Sequence, residues 1–562
     1  MPFSCVAGII AVYYMNNALD ATQPVIESIR GMIPDSVVAR WSSLTLWKQG
    51  EPLTAATVFA YLVTAVLGWI VLEQLRFAMK RRTSSGKGSI PGPSYPVPFL
   101  GGLVEMVKDP YAFWERQRVY SERGVSYNSL FGQFIVFVTD PIKCRELMVV
   151  NDPEKMLMVL HPSAKNILGK NNMAFDHGPQ HKLIRKSFLS LFTRKALSVY
   201  VQLQDGIIRR HMEEWLKEHE GKEFEIRTYL RDMNLMTSQE VFVGPYLDDP
   251  ETKRKFTEGY LAMTDAFLAF PLCFPGTTVW KGRQGRIFVM KTLEQCAKRA
   301  KVYIKQGGEP RCLLDFWTQK CLEEIKEAET AGEQPPRHTT DYWMADAILL
   351  FLFASQDASS ASLTWTVSLM ADHPDVLARV RAEQYAVRGK DLEKVIDGEL
   401  MNELTFTRQV VKEILRYRAP APMVPQMTYS KYKLTEDYTL PKGTLVFPSV
   451  NAACLQDFTD ATRFDPDRFG EHRKEDIVHA KNYLVFGAGP HYCVGKEYAI
   501  NQLVTFLSLL STTCDWSRRR TDKSDLWKYL PTIYPHDTFV TLTRRMDHGK
   551  DVAKVIDPHK KK

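Results

Sequence analysis

The stretch FGAGPHYCVG, Phe486 to Gly495, constrains this chain more than any other. It places Cys493 in a loop with glycines at 487, 489 and 495 and a histidine two residues upstream. A cysteine that only fills a core needs none of these. A thiolate that ligates a metal must keep its charge and be sheltered from protonation and oxidation. Backbone N–H groups of a tight turn do this, and glycine lets the backbone come close. Gly487 and Gly489 permit such a turn, and Gly495 followed by KEYAINQLVTFLSLL predicts a helix beginning just after the cysteine. A helix N-terminus favours negative charge and so stabilises a thiolate. His491 supplies a donor for an anionic group beside the metal. No second thiolate or histidine ligand stands nearby, so the pattern points away from zinc and towards a single axial bond, the requirement of haem iron.

Nine cysteines without a CxxC pair, spread over 562 residues, fit a reducing compartment rather than a disulfide framework. The net charge of +8 is mild, and no Arg/Lys stripe is interleaved with aromatics, so no nucleic-acid partner is expected. Leu53 to Leu72 is 20 residues without a charge, about 30 Å of helix, one hydrocarbon core. Arg76, Lys80, Arg81, Arg82 and Lys87 follow with no acid among them, which places the rest of the chain in the cytosol. The expected organisation is an N-terminal segment 1–52, lumenal in the sense of lying across the membrane from the body, a transmembrane anchor 53–72, a basic and proline-rich hinge 73–102 stiffened by Pro91, Pro93, Pro96 and Pro98, a body 103–548 and a basic tail 549–562. Strand pairs are expected over 129–141 around a Gly-Gln turn, over 438–450 around Pro-Lys-Gly, and over 530–545. Most of 178–420 reads as helix. The fold class is therefore mainly α with small β-sheets, preceded by one N-terminal transmembrane helix.

The loop Phe486-x-x-Gly489-x-His491-x-Cys493-x-Gly495 resembles the haem-binding signature of the cytochrome P-450 superfamily. Two further elements stand in register with it. Glu413 and Arg416 in EILR resemble the superfamily's Glu-x-x-Arg pair, and Arg468 in DPDRF the arginine that joins it. The resemblance implies the P-450 fold and haem b with Cys493 as axial thiolate. It implies a structural role for the Glu413/Arg416/Arg468 triad, which holds the meander that places the cysteine loop. His181 and Arg185, one helical turn apart in HKLIRKSF, resemble residues that bind haem propionates; Gln426 stands near where many relatives carry another propionate arginine.

AILLFLFASQDASSASLTW, 347–365, is a long apolar helix with polar residues at its middle. Burying Asp357 there is costly unless the carboxylate is partnered or used. In the superfamily this helix crosses the haem, and its acid and threonine deliver protons to bound dioxygen. Here Ser355 replaces the usual glycine and Ala358 the usual threonine. Asp357 is the candidate acid, and Ser359 or Ser360 the candidate hydroxyl; Ser360, three residues on, shares the face of Asp357. Together with RYRAPAPMVPQ, LPKGTLVFPSV and FVGPYLDDP, these segments resemble the sterol C-22 desaturases of plant and algal type over nearly all of 90–545. The implied reaction removes two hydrogens from a sterol side chain using O2 and electrons from NADPH. Alternatives are a sterol 14-demethylase or other sterol hydroxylase of the same superfamily, and, of another class, a haem or sterol-binding protein without turnover, which would have no need of an acid at 357. Candidate sterol contacts are Met423, Val424, Thr532 and Ile533. The apolar segment 263–280 is a candidate lipid-side entrance. Tyr492 stands where a dinucleotide fingerprint would continue with glycine, so electrons are expected from a separate NADPH-cytochrome reductase, steered by a basic face with Lys182 and Lys496. The implied location is the endoplasmic reticulum membrane, single-pass, with the catalytic domain cytosolic.

Overall fold

The computed structural model describes residues 55–546, apart from 121–123, 151, 161, 170, 268, 390, 530 and 531. The segment 1–52, the first two residues of the expected anchor and the tail 549–562 lie outside the described residues. The chain divides into two units, Met1–Leu75 and Arg76–Lys562. Helix α1 (Ala55–Lys80) begins in the first. Its apolar window Val58–Lys80 is only 6 % buried, with Phe59, Leu62, Val66, Leu67 and Leu72 exposed. A stretch of helix with apolar side chains this exposed suits lipid, whereas Phe77 near its end is buried.

The second unit is mostly helical. Its longer helices are α2 (Pro110–Tyr120), α3 (Gly178–Leu189), α4 (Arg194–His219), α5 (Ile226–Phe242), α6 (Pro250–Ala266), α7 (Thr278–Lys305), α8 (Leu313–Ala331), α9 (Asp341–Asp372), α10 (Pro374–Arg388), α11 (Thr405–Tyr417) and α12 (Lys496–Thr513). α9 is also long and apolar enough to cross a membrane, but 67 % of its window is buried: it is the core helix of the body. It starts where the Thr340 side chain accepts from Trp343 N, with Asp341 in the first turn, an arrangement that satisfies an orphan donor and complements the helix dipole.

A five-stranded sheet runs in the order β1-β2-β8-β5-β3, from β1 (Val125–Leu130), β2 (Gln133–Val138), β3 (Met156–Met158), β5 (Gln426–Thr428) and β8 (Leu445–Pro448). Among the described strand pairs only β2 and β8 run parallel. β4 (Glu223–Glu225), β12 (Phe539–Arg544) and β9 (Cys514–Arg518) form a second sheet, in the order β4-β12-β9. β6 (Tyr432–Lys433) pairs with β7 (Thr439–Leu440), and β10 (Trp527–Tyr529) with β11 (Ile533–Pro535).

The strand pairs expected from sequence are corrected in detail. The first hairpin exists, but its first strand starts at Val125 and its turn falls on Phe131 and Gly132, at φ 50° and 67°, the double left-handed geometry of a two-residue hairpin. β7 and β8 do not pair with each other. The Pro-Lys-Gly turn folds onto β5 instead: Gly443 N donates to Thr428 O and Thr428 Oγ1 to Pro441 O. β11 and β12 also part company, because Asp537 between them accepts from Thr521 and Ser524 while Thr538 Oγ1 donates to Glu225 of β4. The proline-rich stretch lies along β1, where Tyr127 N donates to Pro91 O and Gly102 N to Ser129 O.

Candidate haem-thiolate site

The cysteine loop is built by its own glycines. Gly487 and Gly489 take φ of 74° and 69°, where side chains other than glycine's are strained. Gly489 also meets the C-terminal end of the short helix Pro141–Val149, since a Cβ there would lie 2.7 Å from Val149 Cα. A single 3-10 turn, Gly489–His491, follows. Cys493 N then donates back to Phe486 O at 2.8 Å, and Gly495 caps α12. Among the described cysteines only Cys273 and Cys493 are exposed. Protein still closes in around Cys493: burial pushes its thiol up, against the pull of the Gly495 N–H and the charges of Arg185 and Lys496. The thiol is thus enclosed yet keeps free surface, as an axial ligand must.

α3 brings His177, at its N-cap, His181 and Arg185 to this loop. His181 stacks on His491 at 4.1 Å between ring centroids, and His177 lies edge-on to His491 at 5.4 Å. Burial, helped by His181, His177 and Arg185, pushes His491 down to about 4. Burial and Arg185 likewise lower His181. No carboxylate among the described residues pairs with Arg185; the nearby Asp176 is bonded to Arg337. Basic side chains converge here and depress one another, so the donor set fits an anionic group. Gln426 is not among them. It is buried in β5 and donates to Leu147 O.

The triad is assembled and fully buried. Arg416 Nε and Nη2 grip Glu413 at 2.7 and 2.8 Å, and Arg468 Nε lies 3.0 Å from the same carboxylate. The guanidiniums also reach Cys454 O, Ala461 O, Thr459 O and Arg463 O, which nails down the meander leading to Cys493. A fourth member was not legible in the sequence: Glu475 accepts from Arg468 at 3.0 Å and from Arg473 at 2.6 Å. It sits in a run of charges, RKED, that reads as ordinary surface.

On α9, between Phe351 and Ser360, Phe353, Ala354, Ser355, Asp357 and Ala358 keep surface while Gln356, Ser359 and Ser360 are buried. Phe353, Ala354, Asp357 and Ala358 make one stripe at helical spacing. Burial raises the Asp357 carboxyl, and Arg231 of α5, its Nη2 3.6 Å away, counters it. Ser360 does not share this surface: its hydroxyl back-bonds to Gln356 O at 2.6 Å and accepts from Asn234 at 3.2 Å, the usual diversion of a helical serine. Ser359 is buried as well. A hydroxyl from another element reaches the backbone here: Thr532 Oγ1 donates to the carbonyl O of Asp357 at 3.3 Å. Of the candidate sterol contacts, Met423 and Val424 are half-buried beside β8. Ile533 is fully buried in the core and holds Trp365 through its carbonyl, so it presents no surface. Lys182 is exposed, and Lys496 lies 5.9 Å from the Phe486 ring and 6.0 Å from that of Tyr492.

The family model for cytochrome P450 matches residues 91–530. The chain belongs to the cytochrome P450 family. This P450 is 38 % identical to cytochrome P450 710A4 of Arabidopsis thaliana, across 86 % of this chain and 96 % of that protein. It is 33 % identical to the C-22 sterol desaturase ERG5A of Gibberella zeae, across 87 % and 92 %, and 31 % identical to the C-22 sterol desaturase ERG5 of Saccharomyces cerevisiae, across 87 % and 90 %. Among solved structures it is similar to retinoic acid-bound cyanobacterial CYP120A1, with TM-score 0.64 and 23 % identity over 81 % of this chain and all of that one. The P450 heme domain of cytochrome P450DA matches with TM-score 0.65 and 19 % identity over 82 % and 97 %. Family and fold imply haem held by a cysteine thiolate, and the enclosed, glycine-built, positively flanked loop fits that group.

Proposed function

We propose that this P450 is a sterol C-22 desaturase. The observation that carries the reading is its likeness, over more than four-fifths of its length, to proteins named C-22 sterol desaturase. The reaction takes one hydrogen from each of C-22 and C-23, and sterol, O2, NADPH and H⁺ give the desaturated sterol, NADP⁺ and two waters. Haem with a thiolate ligand supplies the oxygen activation needed to attack an unactivated C–H bond.

The chain's own residues do the rest. Cys493 gives the thiolate, helped by the Gly495 N–H and the dipole of α12. His181, Arg185 and His491 hold the propionates. Asp357, whose carboxyl is raised by burial, delivers a proton, and Arg231, 3.6 Å from its Oδ1, holds the carboxylate in place. Alanines at 354 and 358 keep the stripe beside it small. Met423, Val424 and Thr532 contact the sterol.

Two apolar features support a membrane location. α1 is the anchor, and the link between α6 and α7 exposes Phe270 and Phe274 at 59 % and 54 % with no charge nearby in sequence from Phe267 to Val279. A sterol dissolved in the bilayer would enter there. Electrons come from a separate NADPH-dependent reductase docking on the face that presents Lys182.

The test of function is product mass. The membrane-bound protein, a cytochrome reductase and NADPH are incubated with cholesterol and with its 24-methyl and 24-ethyl analogues. A loss of two hydrogens in the side chain is expected; a gain of one oxygen as the sole product overturns desaturation. Asp357→Asn should keep haem and sterol-induced spectral change while turnover falls about 10²-fold, the scale of one lost acid–base participant. Full turnover in that variant would leave Asp357 a structural residue.

A further inference from the structure

We infer that Asn234 is a positioning residue that sets the Asp357 segment of α9 against the helix that follows the cysteine. The inference rests on the role proposed for Asp357. Asn234 lies on α5 and is fully buried. Its Nδ2 donates to Ser355 O at 3.2 Å, Gln356 O at 3.0 Å and Ser360 Oγ at 3.2 Å. Its Oδ1 accepts from Gln502 Nε2 at 2.9 Å. Gln502 is fully buried on α12, nine residues after Cys493. One side-chain amide therefore ties α9 immediately before Asp357 to the helix capped at Gly495.

The neighbours reinforce that tie. Ser355, at the position of the family's glycine, shares a 2.9 Å hydrogen bond with Ser238, one turn along α5 from Asn234. Gln356 Nε2 donates to Arg231 O at 3.1 Å, and the side chain of that same Arg231 faces Asp357. α5 thus holds the backbone of α9 with Asn234 and the carboxylate of Asp357 with Arg231. Gln356 and Ser360 lie about 40° apart around α9, and Asp357 about 100° from Gln356. Fixing the first two fixes the rotation of the helix and so the direction in which Asp357 points.

Buried amides are costly unless their hydrogen bonds are made, and apolar residues would fill this space without that demand. A network that joins α5, α9 and α12 at one point is suited to specifying geometry. The hydroxyl missing at Ala358 makes this more pressing, since neither Ser359 nor Ser360 reaches the stripe to help place a proton.

The test uses the full-length holoprotein with Asn234→Leu, which keeps volume and removes the donors. Backbone amide exchange in peptides covering 350–362 should quicken about tenfold or more, the ratio for one lost buried hydrogen bond. Peptides of the meander, 454–475, should be unchanged, as should the thiolate-type spectrum. Hydrogen peroxide released per NADPH oxidised, with cholesterol as probe, should rise. In the Asp357→Asn background the Asn234→Leu change should add nothing further to that ratio, while still quickening exchange. Unchanged exchange in 350–362 overturns the proposal, as does a peroxide ratio that is normal in Asn234→Leu but raised in Asp357→Asn. A normal ratio in Asp357→Asn overturns the role of Asp357 itself and removes the purpose assigned to Asn234. If Asn234→Leu does not fold, Gln502→Met, which frees the amide oxygen of Asn234 at constant bulk, should move both readouts in the same direction by less; no movement in either sinks the assignment.

Discussion

Cys493→Ala should fold, keep its stability to within about 1 kcal/mol, and lose both turnover and the red-shifted Soret band of the reduced, CO-bound protein. The small effect on folding follows from exposure: the thiol fills no core. The loop is held by bonds that alanine leaves intact, Cys493 N to Phe486 O and Gly487 N to Leu484 O, and by the left-handed glycines. The large effect on chemistry follows from there being one axial bond to lose. No group of three or more His, Cys, Asp or Glu side chains among the described residues is placed to hold a metal by other means. The other exposed cysteine among the described residues, Cys273, sits in the apolar link between α6 and α7. A mutant that keeps the band would mean that a different residue is the ligand.

Glu413→Gln should cost about 3–5 kcal/mol, because it leaves Arg416 buried without its counter-charge and Arg468 with Glu475 alone. Glu413 receives Arg416 through both oxygens, Arg468 through Oε2 and the backbone N–H of Asp465 through Oε1. A glutamine of the same shape keeps one acceptor oxygen and turns an N–H₂ towards donors. Against a total stability of typically about 5–15 kcal/mol, that loss should open the meander and empty the site. Haem content by absorbance and the thermal midpoint should fall together. Glu436→Gln makes the comparison, since Lys433–Glu436 has the same i,i+3 spacing but lies on the surface; it should change neither. Full haem content in Glu413→Gln would mean that Glu475 and the backbone carbonyls suffice to hold Arg416 and Arg468.

What the sequence by itself determined was local or carried by spacing. Two glycines and a cap residue shape the cysteine loop through their own backbone freedom, and the helix at Lys496 starts where the pattern places it. The long apolar helix α1 is legible because twenty residues without a charge form a helix long enough to be a candidate membrane span. Glu413 and Arg416 meet because three residues make most of a helical turn, and their burial made them strong. The tertiary structure decided whatever depends on partners far away in the chain. β7 and β8 look like a hairpin, but Thr428 captures the turn between them. Ser360 has the spacing to stand with Asp357, but a carbonyl one turn back and the Asn234 amide take its hydroxyl. Arg231, Asn234 and Gln502 carry no mark in their own segments, since each acquires its meaning from a residue more than a hundred positions away. Periodicity reports which face of an element is apolar; it does not say which polar group of another element that face will meet, and for a buried amide or carboxylate that meeting fixes both its cost and its use.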